Sequence, residues 1–159
     1  VYCHAACWAV LAERRLDGVD AAYNLWLSFC PPIRAQSPDV YAGEPYVMPG
    51  NVAGPQATIP GQAGWTWYTG SSGWYLRALV EGVLGVEAHL EGLHVEAELP
   101  QGWDGFHIRR IFRGAVYDVT VRRAGAAETP NCLVDGMPWQ GNCLPVASSG
   151  SVQQVSITV

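Results

Sequence analysis

Residues 64–74 read GWTWYTGSSGW, a stretch of aromatic, glycine and hydroxyl side chains that runs directly into an apolar helical pattern. The spacing of Trp74, Leu76, Leu79, Val80, Val83 and Leu84 predicts a helix, with Ser71 or Ser72 as its N-cap. Thr69 and Gly70 then lie at the helix N-terminus, where free backbone N–H groups carry partial positive charge. The segment therefore suggests an anion site suited to phosphate, against the alternative of an ordinary capped helix behind an aromatic loop.

Towards the N-terminus, two further helices are predicted. Residues 2–16 are apolar on nearly all sides and end at Asp17-Gly18, and a second helix capped by Asp20 ends at Pro31-Pro32. Together they form a helical hairpin. The following residues, 34–70, are rich in glycine and proline but also in aromatic side chains, and this combination favours an ordered loop that lines a site.

Towards the C-terminus, the hydrophobic period changes from helical to alternating, which predicts strands. Residues 93–99 alternate, residues 106–112 and 115–121 flank a turn at Arg113-Gly114, and short strands are predicted at 133–134, 144–146 and 152–159. The expected class is α+β, with residues 1–88 forming a helical domain and residues 89–159 a small antiparallel β-sandwich domain.

Composition excludes several functions. The net charge of −5, with nine scattered cationic side chains that are all arginine, argues against nucleic-acid binding. Five cysteines, an odd number without compact spacing, fit a reducing cytoplasm. Cys3 and Cys7 lie one helical turn apart, but their apolar neighbours indicate buried thiols, so no metal site is expected.

The β region contains three histidines, His89, His94 and His107. Alternation directs the last two towards solvent, and none of the three is assigned a role.

Ordered sequence blocks resemble the end of the cellobiose phosphorylase family, glycoside hydrolase family 94. They are residues 2–4 (YCH), 43–47 (GEPYV), 64–74, 84–86 (LGV), 100–106 and 112–117 (FRGAVY). The resemblance covers essentially the whole chain. It implies that residues 1–88 are the final helices of a six-hairpin α/α barrel, or toroid, which carries the phosphate-site loop, and that the missing barrel segments precede Val1 in a longer protein.

The resemblance also implies an activity, inverting phosphorolysis of a β-linked di- or oligosaccharide with inorganic phosphate as co-substrate and no cofactor. The product would be α-glucose 1-phosphate. The aspartate that acts as general acid in this family has no match here, so no catalytic residue is expected in this chain, which alone should be inactive. A homodimer is a further implication of the family.

The resemblance assigns phosphate binding to His4, Thr69 and Gly70, with Ser71 as a secondary phosphate or loop contact. Side chains that could line a sugar site are Glu44, Trp65, Trp67 and Tyr68. Glu44 is not assigned as catalytic. Two alternatives stay open: the phosphorylase-like end of a membrane-associated cyclic β-1,2-glucan synthase, and a noncatalytic sugar-binding module. The sequence leaves the identity and linkage of the sugar undecided.

Overall fold

The chain divides into a mainly helical unit, which contains one short strand pair, followed by a unit of strands. The computed structural model describes residues 1–159, with one unit at Val1–Val83 and a second at Leu84–Val159. The predicted α+β class is confirmed at this level. The sequence placed the boundary after residue 88, but the second unit begins at Leu84. The earlier boundary arises because the strand Val86–Ala88 pairs with Leu93–Val95 of the second unit.

The first unit contains five helices, α1 to α5, and one short antiparallel strand pair, β1 and β2. The helices are α1 Cys3–Leu16, α2 Val19–Ser28, α3 Pro31–Arg34, α4 Pro38–Tyr41 and α5 Thr69–Arg77, and the strands are β1 Asn51–Val52 and β2 Ala63–Gly64. A π-helical segment, Ala78–Val83, continues α5. Both helices of the predicted hairpin, α1 and α2, are present. Every helix falls short of the length and hydropathy that a membrane crossing requires.

The core of the first unit forms where α1 packs against α2 and α5. Cys3, Cys7 and Val10 recur at helical spacing along α1 and are completely buried. Burial raises the pKa of the Cys7 thiol to about 12, so this side chain stays neutral and packs as a small apolar group. Between α2 and α5, the rings of Trp26 and Tyr75 stack with centroids 4.4 Å apart.

The start of α5 differs from the sequence prediction. The N-cap is Tyr68, and the first helical hydrogen bond runs from the Ser72 N–H to the Tyr68 carbonyl at 3.1 Å. The predicted caps, Ser71 and Ser72, therefore lie inside the first turn. Tertiary structure explains the shift, since the Tyr68 N–H donates to the Met48 carbonyl (2.9 Å) and positions the chain for helix entry before the serines.

The second unit contains eight strands, β3 to β10, in two sheets. They are β3 Val86–Ala88, β4 Leu93–Val95, β5 Gly105–Phe112, β6 Ala115–Arg122, β7 Asn131–Val134, β8 Met137–Pro138, β9 Cys143–Leu144 and β10 Val152–Thr158. One sheet has the order β5-β6-β10-β7-β8 and the other the order β3-β4-β9. The alternating stretch 93–99 is a strand only as far as Val95. The predicted hairpin around Arg113-Gly114 is present as β5 and β6.

The sequence predicted antiparallel sheets, and this is wrong for the larger sheet, because β10 pairs with β6 in parallel. Alternation identifies a strand but carries no information about the direction of its partner, which depends on the long connection from β6 to β10. Tyr117 on β6 is completely buried, and its hydroxyl donates to the Pro145 carbonyl (2.7 Å) and accepts from the Ala147 N–H (3.0 Å). This side chain fixes the segment that leads from β9 into β10.

An exposed ion pair between Arg122, the last residue of β6, and Glu128 gives the second unit a testable pH dependence. The guanidinium of Arg122 donates two hydrogen bonds to the Glu128 carboxylate, at 2.5 and 2.9 Å. These bonds, together with one from the Gly125 N–H, lower the pKa of Glu128 to about 2. A carboxyl group with a depressed pKa stabilises the fold above its unfolded pKa of about 4.3, and this contribution disappears as pH falls towards 2.

We therefore expect Glu128→Gln to lower the melting temperature slightly near neutral pH, and the difference from the parent chain to vanish near pH 2. The effect is small because both partners are solvent-exposed. Melting curves at pH 7, 4 and 2 measure it. In an Arg122→Gln background, the effect of Glu128→Gln should be smaller, because only the bond from the Gly125 N–H to the carboxylate remains. A Glu128→Gln effect that is independent of pH would contradict this explanation.

Candidate functional site

The N-termini of α1 and α5 meet in the first unit. The two N-cap residues are Tyr2 and Tyr68, their hydroxyl oxygens are 3.2 Å apart, and their rings pack edge to face with centroids separated by 6.2 Å. Both helices therefore direct the positive ends of their dipoles towards one region. Backbone bonds support this arrangement, since the Cys3 N–H donates to the Gly50 carbonyl (2.9 Å) and the Gly50 N–H donates to the Trp65 carbonyl (3.0 Å).

His4, in the first turn of α1, lies beside Gly70 in the first turn of α5. A Cβ atom at Gly70 would be 3.5 Å from the His4 Nδ1 atom, so the absence of a side chain there leaves space next to the imidazole. Aromatic rings hold the imidazole, with centroid distances of 5.3 Å to Trp8 and 5.7 Å to Trp74. The His4 Nε2 atom is buried and has no hydrogen-bond partner.

The first turn of α5 supplies further donors. Because the first helical bond begins at Ser72, the N–H groups of Thr69, Gly70 and Ser71 have no acceptor within the helix. Thr69 and Gly70 are exposed, whereas Ser71 is completely buried and its hydroxyl has no partner. The first turn contains no acidic side chain that would compete with an anion. The structure thus brings together His4, Thr69 and Gly70, three residues that the family resemblance assigned to phosphate.

The aromatic loop before α5 has an uncommon backbone. Trp65 and Trp67 adopt φ values of 55° and 64°, in the left-handed region that bulky side chains rarely occupy. Their side chains are 81% and 64% exposed, respectively, so packing in the core does not account for these backbone conformations. Such backbone strain is maintained only by surrounding structure and is frequent where a protein binds a ligand.

Glu44 contacts this loop through its carboxylate, which accepts a hydrogen bond from the indole N–H of Trp67 at 3.0 Å. Its own backbone N–H, that indole and the Thr66 side chain lower the pKa of Glu44, which keeps the group ionised. An ionised carboxylate can accept hydrogen bonds from hydroxyl groups but holds no proton to donate. Tyr46 packs edge to face against Trp67 with centroids 6.0 Å apart. The sequence did not assign Tyr46 to the site, although its GEPYV block contained the residue.

Sequence comparisons match this chain to known carbohydrate-active proteins. The model for the glycosyl hydrolase 94 superfamily, catalytic domain, matches residues 1–85. N,N'-diacetylchitobiose phosphorylase from Vibrio proteolyticus is 29% identical over 161 aligned residues, which cover 100% of this chain and 20% of the relative. Solabiose phosphorylase from Paenibacillus borealis is 23% identical over 158 aligned residues, which cover 98% of this chain and 21% of the relative.

A third relative differs in the name of its activity. Cyclic beta-(1,2)-glucan synthase NdvB from Rhizobium meliloti is 34% identical over 132 residues, which cover 81% of this chain and 5% of the relative. The chain therefore spans about a fifth of the length of the two phosphorylases and a twentieth of the synthase. Because the catalytic-domain model matches more than half of its residues, this chain belongs to the glycosyl hydrolase 94 superfamily.

Proposed function

We propose that this chain supplies the phosphate-binding part of an inverting glycoside phosphorylase. The observation that supports this most strongly is the position of His4, whose Nδ1 atom lies beside Gly70 and whose Nε2 atom is buried without a hydrogen-bond partner. The N–H groups of Thr69 and Gly70 in the first turn of α5 have no acceptor within the helix. Donors on two convergent helix N-termini suit a tetrahedral anion with several acceptor oxygens. The names of the two phosphorylase relatives support the same activity.

In the proposed reaction, a phosphate oxygen attacks the anomeric carbon of a β-linked glucoside, and the glycosidic oxygen departs with a proton. Attack from the opposite face inverts the configuration and gives α-glucose 1-phosphate. His4, Thr69 and Gly70 position the nucleophile, which lowers the barrier through orientation and electrostatics. We propose that the proton donor lies outside these 159 residues, in the remainder of an α/α barrel, and that no cofactor is used.

The exposed aromatic loop is proposed to contact the sugar. Rings such as Trp65 and Trp67 offer apolar faces to the C–H surface of a pyranose, and the ionised Glu44 carboxylate can accept hydrogen bonds from sugar hydroxyls. The short link through Tyr68 connects this loop to the phosphate residues, because Tyr68 caps the same helix that carries Thr69 and Gly70.

Two glycines of α5 provide a matched test of phosphate binding. Gly70→Ala adds a methyl group 3.5 Å from the His4 Nδ1 atom, whereas Gly73→Ala adds one in open space. Alanine favours helix by about 1 kcal/mol over glycine in helix interiors, so neither change should unfold the chain. We expect Gly70→Ala to weaken inorganic phosphate binding about tenfold, the effect of losing about 1.4 kcal/mol, and Gly73→Ala to leave it unchanged.

Isothermal titration of the purified chain with inorganic phosphate measures this difference, and melting curves verify that both variants fold. Equal phosphate affinity in the parent, Gly70→Ala and Gly73→Ala chains would contradict the assignment. The reaction itself is tested in a protein that joins this chain to a complete catalytic barrel. Release of α-glucose 1-phosphate must require phosphate, and hydrolysis that proceeds equally without phosphate would refute phosphorolysis.

A second candidate function follows from the match to the glucan synthase, which has a higher identity than the two phosphorylases described. The chain could serve a protein that acts on β-1,2-linked glucans, with the same phosphate-site residues. Assays of the barrel-containing protein on β-1,2-linked and β-1,4-linked glucosides separate the two candidates. Activity confined to β-1,2-linked substrates favours the synthase branch.

A further inference from the structure

The hairpin formed by β3 and β4 collects histidine and glutamate side chains in the second unit. The rings of His89 and His94 stack with centroids 4.0 Å apart and planes inclined by 10°. Glu91, in the turn between them, directs its carboxylate towards both rings. One ligand atom from each of these three residues lies within 4.8 Å of the other two. None of the three belongs to the phosphate site described above.

The distances suit a small ion with nitrogen and oxygen ligands. In a tetrahedral zinc site with bonds of about 2.1 Å, neighbouring ligand atoms are separated by about 3.4 Å. The His94 Nε2 atom is 3.4 Å from the Glu91 Oε1 atom, which matches this separation. The His89 Nδ1 atom is 3.8 Å from the same oxygen. Because an imidazole binds a metal in the plane of its ring, the partly exposed His89 ring must turn out of the stack with His94 for both rings to bind one ion.

His94 carries an unsatisfied polar atom at this position. Its Nε2 atom is buried and has no hydrogen-bond partner, although the Glu91 carboxylate is near. Burial of an unpaired polar atom costs free energy, and a bound cation would remove this cost.

Glu87 on β3 lies where a carboxylate could accept a hydrogen bond from a metal-bound His89 without touching the ion itself. Its Oε2 atom lies 3.3 Å from the Nε2 atom of His89, the ring nitrogen that does not face Glu91. Metal-bound histidines generally donate their second N–H to a carboxylate or carbonyl, which fixes the tautomer and the ring orientation. In the proposed site, a proton on the Nε2 atom of His89 would be donated to Glu87, and the Nδ1 atom would be free to bind the ion.

The hairpin is held in place before any ligand binds. Three residue pairs join β3 to β4, among them Glu87 with His94, and β4 pairs on its other edge with β9. The turn is anchored by the Arg113 guanidinium, which donates to the Leu90 carbonyl at 2.6 Å. A hairpin backbone that is already in place lowers the entropic cost of binding.

We propose that this hairpin binds a divalent transition-metal ion, Zn²⁺ by preference, through His89, Glu91 and His94. Two imidazoles and one carboxylate favour Zn²⁺ over Mg²⁺ or Ca²⁺, which prefer oxygen ligands alone. Three protein ligands leave a fourth position for water. Because the ligands all lie within the β3–β4 hairpin, the ion would fasten its turn and stabilise the second unit.

The test uses the purified chain in phosphate-free buffer, so its outcome does not depend on the proposed phosphorylase function. Zn²⁺ is titrated by calorimetry, and Co²⁺ replaces it for absorption spectra. We expect one site, a Co²⁺ spectrum without a thiolate band, and imidazole NMR shifts confined to His89 and His94 among the four histidines. Zn²⁺ should also raise the melting temperature, because it binds the folded chain.

Variants identify the ligands. Glu91→Gln and His89→Ala should each weaken Zn²⁺ binding by at least about 100-fold, because each removes a ligand. Glu87→Gln should weaken it by about 10-fold, the effect of replacing a residue that hydrogen-bonds to a ligand. His107→Ala, a histidine on β5 that pairs with Asp118, is the matched control and should not alter binding. The partly exposed His89 and Glu91 are preferred to His94 because their replacement leaves the sheet packing intact. The proposal would be overturned if Zn²⁺ affinity were unchanged in both His89→Ala and Glu91→Gln, or if Zn²⁺ shifted the NMR signals of His4 or His107.

Discussion

Replacing His4 by phenylalanine is expected to weaken phosphate binding by about 10- to 100-fold, because a charge-assisted hydrogen bond contributes roughly 1.5–3 kcal/mol. Phenylalanine retains an aromatic ring to pack against Trp8 and Trp74, whose rings surround His4. It has no nitrogen to donate to a phosphate oxygen. Phosphate titration of the chain measures the affinity, and phosphate dependence of turnover in a barrel-containing protein measures the consequence for the reaction.

A second substitution separates binding from packing. His4→Gln restores a hydrogen-bond donor without the ring, so we expect phosphate affinity between those of the parent and His4→Phe. His107→Ala serves as a histidine control in the second unit. If His4→Phe binds phosphate as tightly as the parent chain, then His4 is a packing residue, and its unpartnered Nε2 atom has no role in anion binding.

Gly85→Ala is expected to destabilise the second unit by about 3 kcal/mol or more and to lower its melting temperature by more than about 10 °C. Gly85 adopts φ +68°, and an added Cβ atom would collide with the Glu96 carbonyl. The contact cannot relax easily, because the Gly85 carbonyl accepts a hydrogen bond from the Glu96 N–H at 2.9 Å. Calorimetric melting of the chain measures the loss.

Gly136→Ala is the matched control for this prediction. Gly136 has a similar φ of +78°, but a Cβ atom there has no neighbour within 4 Å. Its replacement tests the backbone strain alone, for which we expect about 1 kcal/mol. The difference between the two variants is therefore the cost of the collision. Equal losses of stability in both variants would show that the close approach to Glu96 has no energetic importance.

The helix N-terminus of the proposed phosphate site could be predicted from sequence, because its determinants are local. The pattern around Thr69 and Gly70 indicated a helix N-terminus, and helix termini attract anions wherever they occur. The same pattern did not show that Tyr68 caps the helix, since that depends on its backbone bond to Met48. Nor did it show that Tyr46 packs on Trp67, because this contact joins positions far apart along the chain.

The hairpin histidines illustrate the opposite case. Alternation directed His94 towards solvent, but its Nε2 atom is buried and its ring stacks on that of His89. Periodicity reports only which face of a strand a residue occupies. It cannot report what a neighbouring turn places over that face.

The sequence by itself determined the change from helices to strands along the chain, the presence of a helix that begins near Thr69 and Gly70, and the family to which the chain belongs. These features follow from periodicity, capping and short motifs, all of which act over a few residues. Only the tertiary structure decided that His4 meets Gly70, that β10 runs parallel to β6, and that His89 stacks on His94. Such contacts depend on how long connections fold back, and local residue preferences do not encode the direction of that return.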